Sequence, residues 1–402
     1  MTKVDHWLLP EGIEEVLPNQ AFAVERLRRQ LLDVYHVWGY DLVIPPLVEF
    51  TDSLLSGSGR DLDLLTFKLT DQLSGKTMGV SADITPQTAR MDAHSLRRAG
   101  PNRLCYAGTV LYTRPRSPIS SRSPLHVGVE LYGVSSLEAD LEVISLMVEA
   151  LTDVGVDQLC LDLGHVGIYR SIEESLPLDS GLKTELFELL QAKSCELGGW
   201  VANYIEDADL AAIIMALPSL SGNAAILDAA RDLFANAPGE VELALDELQL
   251  VVDQLAERCP HLQIYLDLCE LEGYHYHTGI VFAAYAQAAR QALANGGRYD
   301  DIGESFGRAR PATGFSIDLK AVVDLVTADE SQGFDQPCGI YAPASEDPGQ
   351  EKFIRNLRAS NERVVCGFSG QKPDYAELRC DRILVADNGH FSVKPIINEF
   401  QS

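Results

Sequence analysis

Gly273-Tyr274-His275-Tyr276-His277-Thr278-Gly279 and Asn295-Gly296-Gly297-Arg298-Tyr299-Asp300 are the stretches on which the reading of this chain turns. Between them, Ala283 to Ala294 is rich in Ala, Gln and Arg, which favours helix. The flanks argue instead for two strands of a hairpin with Asn295-Gly296 nearby. On a strand, His275 and His277 share one face. With Cys269 and His126 they raise the question of a zinc site, but no fixed ligand spacing backs it. The favoured reading is histidines that line a pocket or are held by hydrogen bonds, with a proton-sensing role as the remaining alternative.

Outward from this point, the composition sets bounds. With 402 residues, 46% apolar and 23% charged, the chain is long enough for one large globular domain with appendages. The formal net charge of -27 speaks against nucleic acid, whose binding needs Lys and Arg to neutralise phosphates. Arg26, Arg28, Arg29 and Arg97, Arg98 are the dense basic spots, and they read as solvated helix faces. No run of about 18 apolar residues exists for a membrane span, and Met1 to Trp7 lacks the basic-then-apolar order of a signal peptide, so a cytoplasmic location is expected. Eight cysteines without a CxxC pair fit reduced, mostly buried thiols; neither a metal nor a cofactor is expected. Phosphate-binding GxGxxG or Walker loops are absent.

Along the chain, Val24, Leu27, Leu31, Val34, Tyr35 and Trp38 recur at helical spacing after Pro18, and Gly39 supplies the stop. Tyr40 to Phe50 is β-rich but holds Pro45 and Pro46, which places it at a sheet edge, a strand end or an interface. Ser135 with Glu138 forms a capping-box pattern ahead of a helix closed by Gly155, and Leu159, Leu161 and Leu163 alternate as in a strand. Residues 171 to 260 read as a helical insertion broken near Leu217-Pro218. Residues 328–336 read as a polar linker. The remainder, 337–402, reads as a small α/β domain: a strand over Cys338 to Ala342, a helix from Asp347-Pro348, a strand over Val364 to Phe368, a helix from Asp374, and a hairpin turning at Asn388-Gly389.

Five elements in register carry a resemblance. Gly39-Tyr40 to Phe50, Ser81 to Arg90 with Ala82-Asp83-Ile84-Thr85-Pro86, Leu111 to Gly133, Gly273 to Phe282, and Gly296 to Lys320 resemble, in order and spacing, histidyl-tRNA synthetase over residues 5 to 325. The resemblance implies an α+β fold, a class II aminoacyl-tRNA synthetase-like antiparallel sheet flanked by helices, spanning residues 1–327. The first element resembles motif 1, which in that family builds a homodimer interface. What the resemblance implies for a histidine site is that Asp83 takes the ammonium, Thr85 adds an acceptor, Glu130 reads the imidazole and Tyr276 lines the other side; His275, His277 and Arg114 complete the candidate set. The carboxylate donor stays open among Gln87, Arg90, Arg114 and Arg298. The plainer reading makes Asp83 a turn or cap residue and Glu130 a surface acid.

The departures matter more. Where the family reads Phe-Arg-x-Glu-Arg-Pro, this chain has Val110-Leu111-Tyr112-Thr113-Arg114-Pro115; where it reads Gly-Leu-Glu-Arg, this chain has Asp318-Leu319-Lys320-Ala321; and Glu272 replaces the Arg that opens Arg-Gly-Leu-Asp-Tyr-Tyr. Losing three guanidiniums from a phosphate-gripping site forfeits more than about 5 kcal/mol of transition-state stabilisation, and Lys320 offers only a point charge. A chain of this kind is similar to the regulatory subunit family of ATP phosphoribosyltransferase. That resemblance implies no catalytic centre, a partnership with the short-form catalytic subunit, L-histidine as allosteric ligand and a self-dimer within a hetero-oligomer. The alternatives are an active histidyl-tRNA synthetase or a free-standing histidine sensor.

Overall fold

The computed structural model describes residues 7–55, 60–117, 120–271, 273–274, 276–289, 291–328, 338–387 and 390–396. It divides into two compact units, Met1–Gln332 and Gly333–Ser402.

In the first unit, β1 (Asp41–Leu42) edges a large sheet, while β2 (Val48–Phe50), β3 (Lys68–Thr70) and β4 (Thr77–Val80) form a separate three-stranded one. The large sheet continues with β5 (Asn102–Thr109), β6 (Leu125–Tyr132), β7 (Leu159–His165), β8 (Ser221–Gly222), β9 (Gln263–Asp267), β10 (Ile280–Ala286), β11 (Ala294–Arg298) and β12 (Ala312–Asp318). Its nine strands lie in the order β1-β5-β6-β12-β11-β10-β7-β9-β8. The run from β5 to β7 is antiparallel throughout, as expected; β1 joins β5 and β9 joins β7 in parallel, so the whole is mixed.

Helix α1 (Pro18–Val37) opens with Pro at its first turn and buries Ala23, Val24, Leu27, Leu31 and Tyr35, the stripe read from sequence. Tyr35 meets Phe315 of β12 edge to face at 5.9 Å. Gly39, at φ +85°, makes the left-handed turn that stops the helix. Short helices α2 (Thr51–Leu54) and α3 (Arg60–Leu65) follow, and α4 (Thr85–Arg90) begins at the site described below. Helix α5 (Leu137–Asp153) starts one residue later than the capping pattern requires: Ser136 occupies the N-cap, Glu138 falls at the second helical position, and the only trace of the pattern is a 3.3 Å contact between their side chains.

Six helices, α6 (Val166–Ser175), α7 (Ser180–Gln191), α8 (Leu197–Tyr204), α9 (Ala208–Ala216), α10 (Ile226–Leu233) and α11 (Gly239–Arg258), fill the segment between β7 and β9. The break at Leu217 is a 3-10 turn followed by β8, which pairs with β9 and so rejoins the large sheet. The Ala-rich stretch after Val281 is strand as far as Ala286, and Asn295-Gly296 lies inside β11 opposite Ala283 and Phe282, not at the turn. Ladder partners on both sides override the helix preference of alanine there. Helix α12 (Leu319–Thr327) closes the unit under an Asp318 cap that accepts from the N–H groups of Lys320 and Ala321.

The second unit holds β13 (Gly339–Ala342), α13 (Pro348–Ala359), β14 (Val364–Cys366), β15 (Cys380–Asp387) and β16 (His390–Pro395), with sheet order β14-β13-β15-β16. Ile340, Ala342, Ile354, Val364 and Leu384 form its core. Asp347 caps α13 by accepting from Gly349 N–H at 2.7 Å, with Pro348 at the first turn. The helix expected from Asp374 is only a run of turns. Asp374 Oδ1 takes Glu377 N–H at 2.9 Å, and Arg379 at φ +49° turns the chain into β15 before a helix can propagate. Residues 329–336 of the expected linker and the 388–389 hairpin turn lie outside the described residues.

Candidate functional site

Glu130 is a charged side chain at the centre of the large sheet, 1% exposed on β6 between Leu104 of β5 and Gly314 of β12. Its carboxyl lies over Gly314, where a Cβ would come within 1.8 Å of Oε2, so only glycine leaves it room. Three hydroxyls converge on it. Thr85, at the start of α4, donates to Oε1 at 2.7 Å, Tyr106 donates to Oε1 at 3.3 Å, and Tyr299 donates to Oε2. Burial pushes the carboxyl up to about 8, against the pull of the three donors and with a further push from Asp83. Glu130 therefore favours its protonated form more than an exposed carboxyl does, and an arriving base can take that proton.

Aromatic rings wall this group. Tyr276 stacks on Tyr299 with centroids 5.1 Å apart, and Tyr299 meets Tyr132 edge to face at 6.4 Å. The Tyr276 hydroxyl is buried without a hydrogen bond, although Thr85 is near enough to influence its ionisation. Such an orphaned donor in a polar pocket is a point where a ligand's polar atom would be satisfied.

Asp83 precedes α4, and its Oδ1 accepts from Thr85 N–H at 3.1 Å, so the plain turn-residue role is present. Burial raises its pKa, opposed by Thr85 and by the charge of Arg116. Thr85 thus holds Asp83 with its amide and Glu130 with its hydroxyl, bringing the two carboxyls to either side of one residue.

Other expectations change. The segment around Tyr276 is a turn, with the N–H groups of Tyr276 and His277 both directed at Gly273 O, so it has no strand face for two histidines. His277 is half-buried, its Nδ1 lies 3.3 Å from Arg298 O, and desolvation lowers its pKa to about 4. It is a neutral packing group beside Tyr276, not part of the Glu130 cluster. His275 and Glu272 lie outside the described residues. Among the described residues no group of three or more His, Cys, Asp or Glu side chains is placed to hold a metal. Arg114 is exposed and is not brought to Glu130.

The arginines of the neighbourhood are committed elsewhere. Arg90 grips Glu49 with two bonds of 2.8 Å, buried Arg298 holds Asp140 at 2.6 and 3.0 Å, and Arg310 holds Asp92 at 3.0 and 3.1 Å. Close to Leu111 and Ala321, where cations are missing, Thr113 donates to Leu64 O at 2.6 Å and Asp318 caps α12. An open groove of about 690 Å³ lies elsewhere, on α1 around Arg26, Arg29 and Asp33, where Glu25 is already paired with Arg28 and Arg29. Sequence reasoning missed Arg116, whose guanidinium lies 4.8 Å over the Tyr112 ring; an Arg-rich loop ahead of β6 was the available signal.

Residues 12–322 match the family model of histidyl-tRNA synthetase, and residues 337–394 match that of the ATP phosphoribosyltransferase subunit HisZ C-terminal domain. The chain is 53% identical over 397 residues to the ATP phosphoribosyltransferase regulatory subunit of Teredinibacter turnerae, covering 98% of this chain and 100% of the relative. It is 54% identical to that of Saccharophagus degradans with the same coverage. A crystal structure described as an ATP phosphoribosyltransferase regulatory subunit/histidyl-tRNA synthetase from Bacillus halodurans superposes with a TM-score of 0.83 at 27% identity, covering 95% of this chain and 99% of the other. Histidyl-tRNA synthetase from Nostoc shares the fold with a TM-score of 0.72 at 17% identity, over 97% of this chain and 94% of that one.

Proposed function

Because the chain belongs to the ATP phosphoribosyltransferase regulatory subunit family, a noncatalytic branch on a histidyl-tRNA synthetase-type core, we propose that it activates a short-form catalytic subunit and conveys histidine feedback to it. It is a regulatory subunit in histidine biosynthesis, with no catalytic centre of its own. The single observation that carries histidine binding is the buried Glu130 carboxyl, ringed by Thr85, Tyr106 and Tyr299 and adjoining Asp83, while Arg90, Arg298 and Arg310 stay locked on acids. An imidazole that meets Glu130 shares its proton, and the ammonium goes to Asp83. Buried charge is tolerated only with such partners.

Histidine acts by binding two quaternary states unequally, and a coupling of about 1 to 3 kcal/mol suffices. Leu42, Ile44, Leu47 and Phe50, exposed along the Tyr40 to Phe50 segment, support self-association there within the hetero-oligomer. No helix among the described residues is long and apolar enough to cross a membrane; a cytoplasmic location accords with the biosynthetic role. The test is co-purification with a short-form catalytic subunit followed by assay. Turnover is expected to rise on mixing and to fall when L-histidine is added. Mixing without effect, or activation indifferent to L-histidine, would contradict the reading.

A further inference from the structure

A free amino acid also brings a carboxylate, and that group requires a cation or several donors. Three of the side chains near enough in sequence to serve are taken. Gln87 donates to Pro46 O at 2.6 Å and to Glu49 at 2.9 Å, and accepts from Ser81 at 2.8 Å. Arg90 is held by Glu49 and Arg298 by Asp140. Freeing either would strand a half-buried or fully buried carboxylate. Arg114, exposed, makes no described contact with the pocket.

Arg116, two residues further on and likewise exposed, differs in having a ring beneath it. Its guanidinium rests 4.8 Å from the centroid of the Tyr112 ring, a cation–π contact that fixes where the charge lies. Tyr112 itself is buried, 3% exposed, and its hydroxyl stands 3.4 Å from His126 Nε2. The Arg116 charge is felt by Asp83, Tyr112 and His126. Among the described residues no ion pair engages the guanidinium, so no carboxylate there competes for its donor fork. His126 remains neutral under burial and that same charge, which lower its pKa to about 3, and it therefore adds no competing cation.

We propose that Arg116 is the carboxylate-recognising residue of the pocket, anchored on the Tyr112 face and acting beside Asp83. This rests on the histidine reading above and adds a residue to it. In an α-amino acid the ammonium and the carboxylate share one carbon, so their partners must be neighbours; Ala82 and Ile84, which flank Asp83, share a core cluster with Tyr112, and Arg116 rests on that ring. Thr85 then carries the site from Asp83 to Glu130, the distance a side chain must cross to bring an imidazole to the three hydroxyls. The arrangement puts recognition of the carboxylate on a loop rather than on a strand, where Arg298 is locked.

The test compares two probes on the full chain, L-histidine and L-histidinol, in which a hydroxymethyl group replaces the carboxylate. Calorimetric titration of the natural protein is expected to favour L-histidine by about tenfold or more. Arg116→Gln should weaken L-histidine roughly tenfold to a hundredfold. It should leave L-histidinol within about twofold, erasing the preference, and Arg116→Lys should recover part of it. Equal loss of both probes, or an Arg116→Gln protein that still prefers L-histidine, would overturn the assignment of Arg116 while leaving the pocket reading intact. A natural protein that binds neither probe, alone or with its catalytic partner, would reject the pocket reading as well.

Discussion

The two ends of the strand pair β6 and β12 treat charge in opposite ways. At the Glu130 end, three hydroxyl donors and a stack of tyrosines surround a buried carboxyl that no cation neutralises. At the other end, where β6 begins at Leu125 and β12 finishes at Asp318, polar groups serve the backbone: Asp318 caps a helix and nearby Thr113 ties down Leu64. The difference teaches that the loss of a nucleotide grip is a matter of placement as well as of the substituted positions. Arg90, Arg298 and Arg310 are all nearby, yet each is fixed on a carboxylate and points its fork at protein.

The largest effect expected from this contrast is on stability. Arg298→Met leaves Asp140, 0% exposed, without its cation in the interior. A loss of about 3 to 5 kcal/mol is expected in urea unfolding; an unchanged midpoint would show that Arg298 is free for other work.

Next in size is a pH effect from the pocket end. Glu130 has its pKa raised from 4.5 to about 8 in the folded chain. Between these values the unfolded chain has released a proton that the folded one keeps, so stability contributed by this group falls as pH rises through that window, with a slope of at most about 1.4 kcal/mol per pH unit. Below the window the contribution is complete. Glu130→Gln cannot titrate, and its thermal midpoint should fall less steeply than that of the natural protein between pH 4.5 and about 8. Parallel curves would mean that the carboxyl is better solvated than its surroundings indicate.

Third, Glu130→Ala removes the acceptor of three hydroxyls and, on the proposed reading, the partner of the imidazole. The histidine concentration that half-inhibits the assembled enzyme should rise on the order of a hundredfold, read from activity at increasing L-histidine. The smallest effect belongs to the other end: Thr113→Ala loses one hydrogen bond to Leu64 O, a cost of about 1 kcal/mol in stability. It should leave the response to L-histidine unaltered, and a shifted response would join the two ends that are here held separate.

Much of the fold was legible because it is written in local pattern. The apolar stripe of α1, the alternation of β7 and the Asp347-Pro348 start of α13 each follow from a few adjacent residues. The expectations that changed concern register and distance. A one-residue shift moved the α5 cap from Ser135 to Ser136, and a run of turns capped by Asp374 replaced a helix. Within the site, Asp83, Thr85, Glu130 and Tyr276 come together, since the motif spacing already aligned them. His277 was read as lining a pocket or held by a hydrogen bond, and it is the second that the structure gives, to Arg298 O of β11 from within a turn. Arg298 was open as a carboxylate donor because its partner Asp140 lies 158 residues away in sequence. Arg116 escaped notice for a related reason: what distinguishes it from Arg114 is the ring of Tyr112 beneath it.

Histidine-dependent exchange of pyrophosphate into ATP by the purified full chain tests the central claim most directly. A pocket that keeps its carboxylates and lacks a phosphate cradle is expected to give no exchange above a histidine-free control. Exchange that requires histidine and saturates with it would contradict the account.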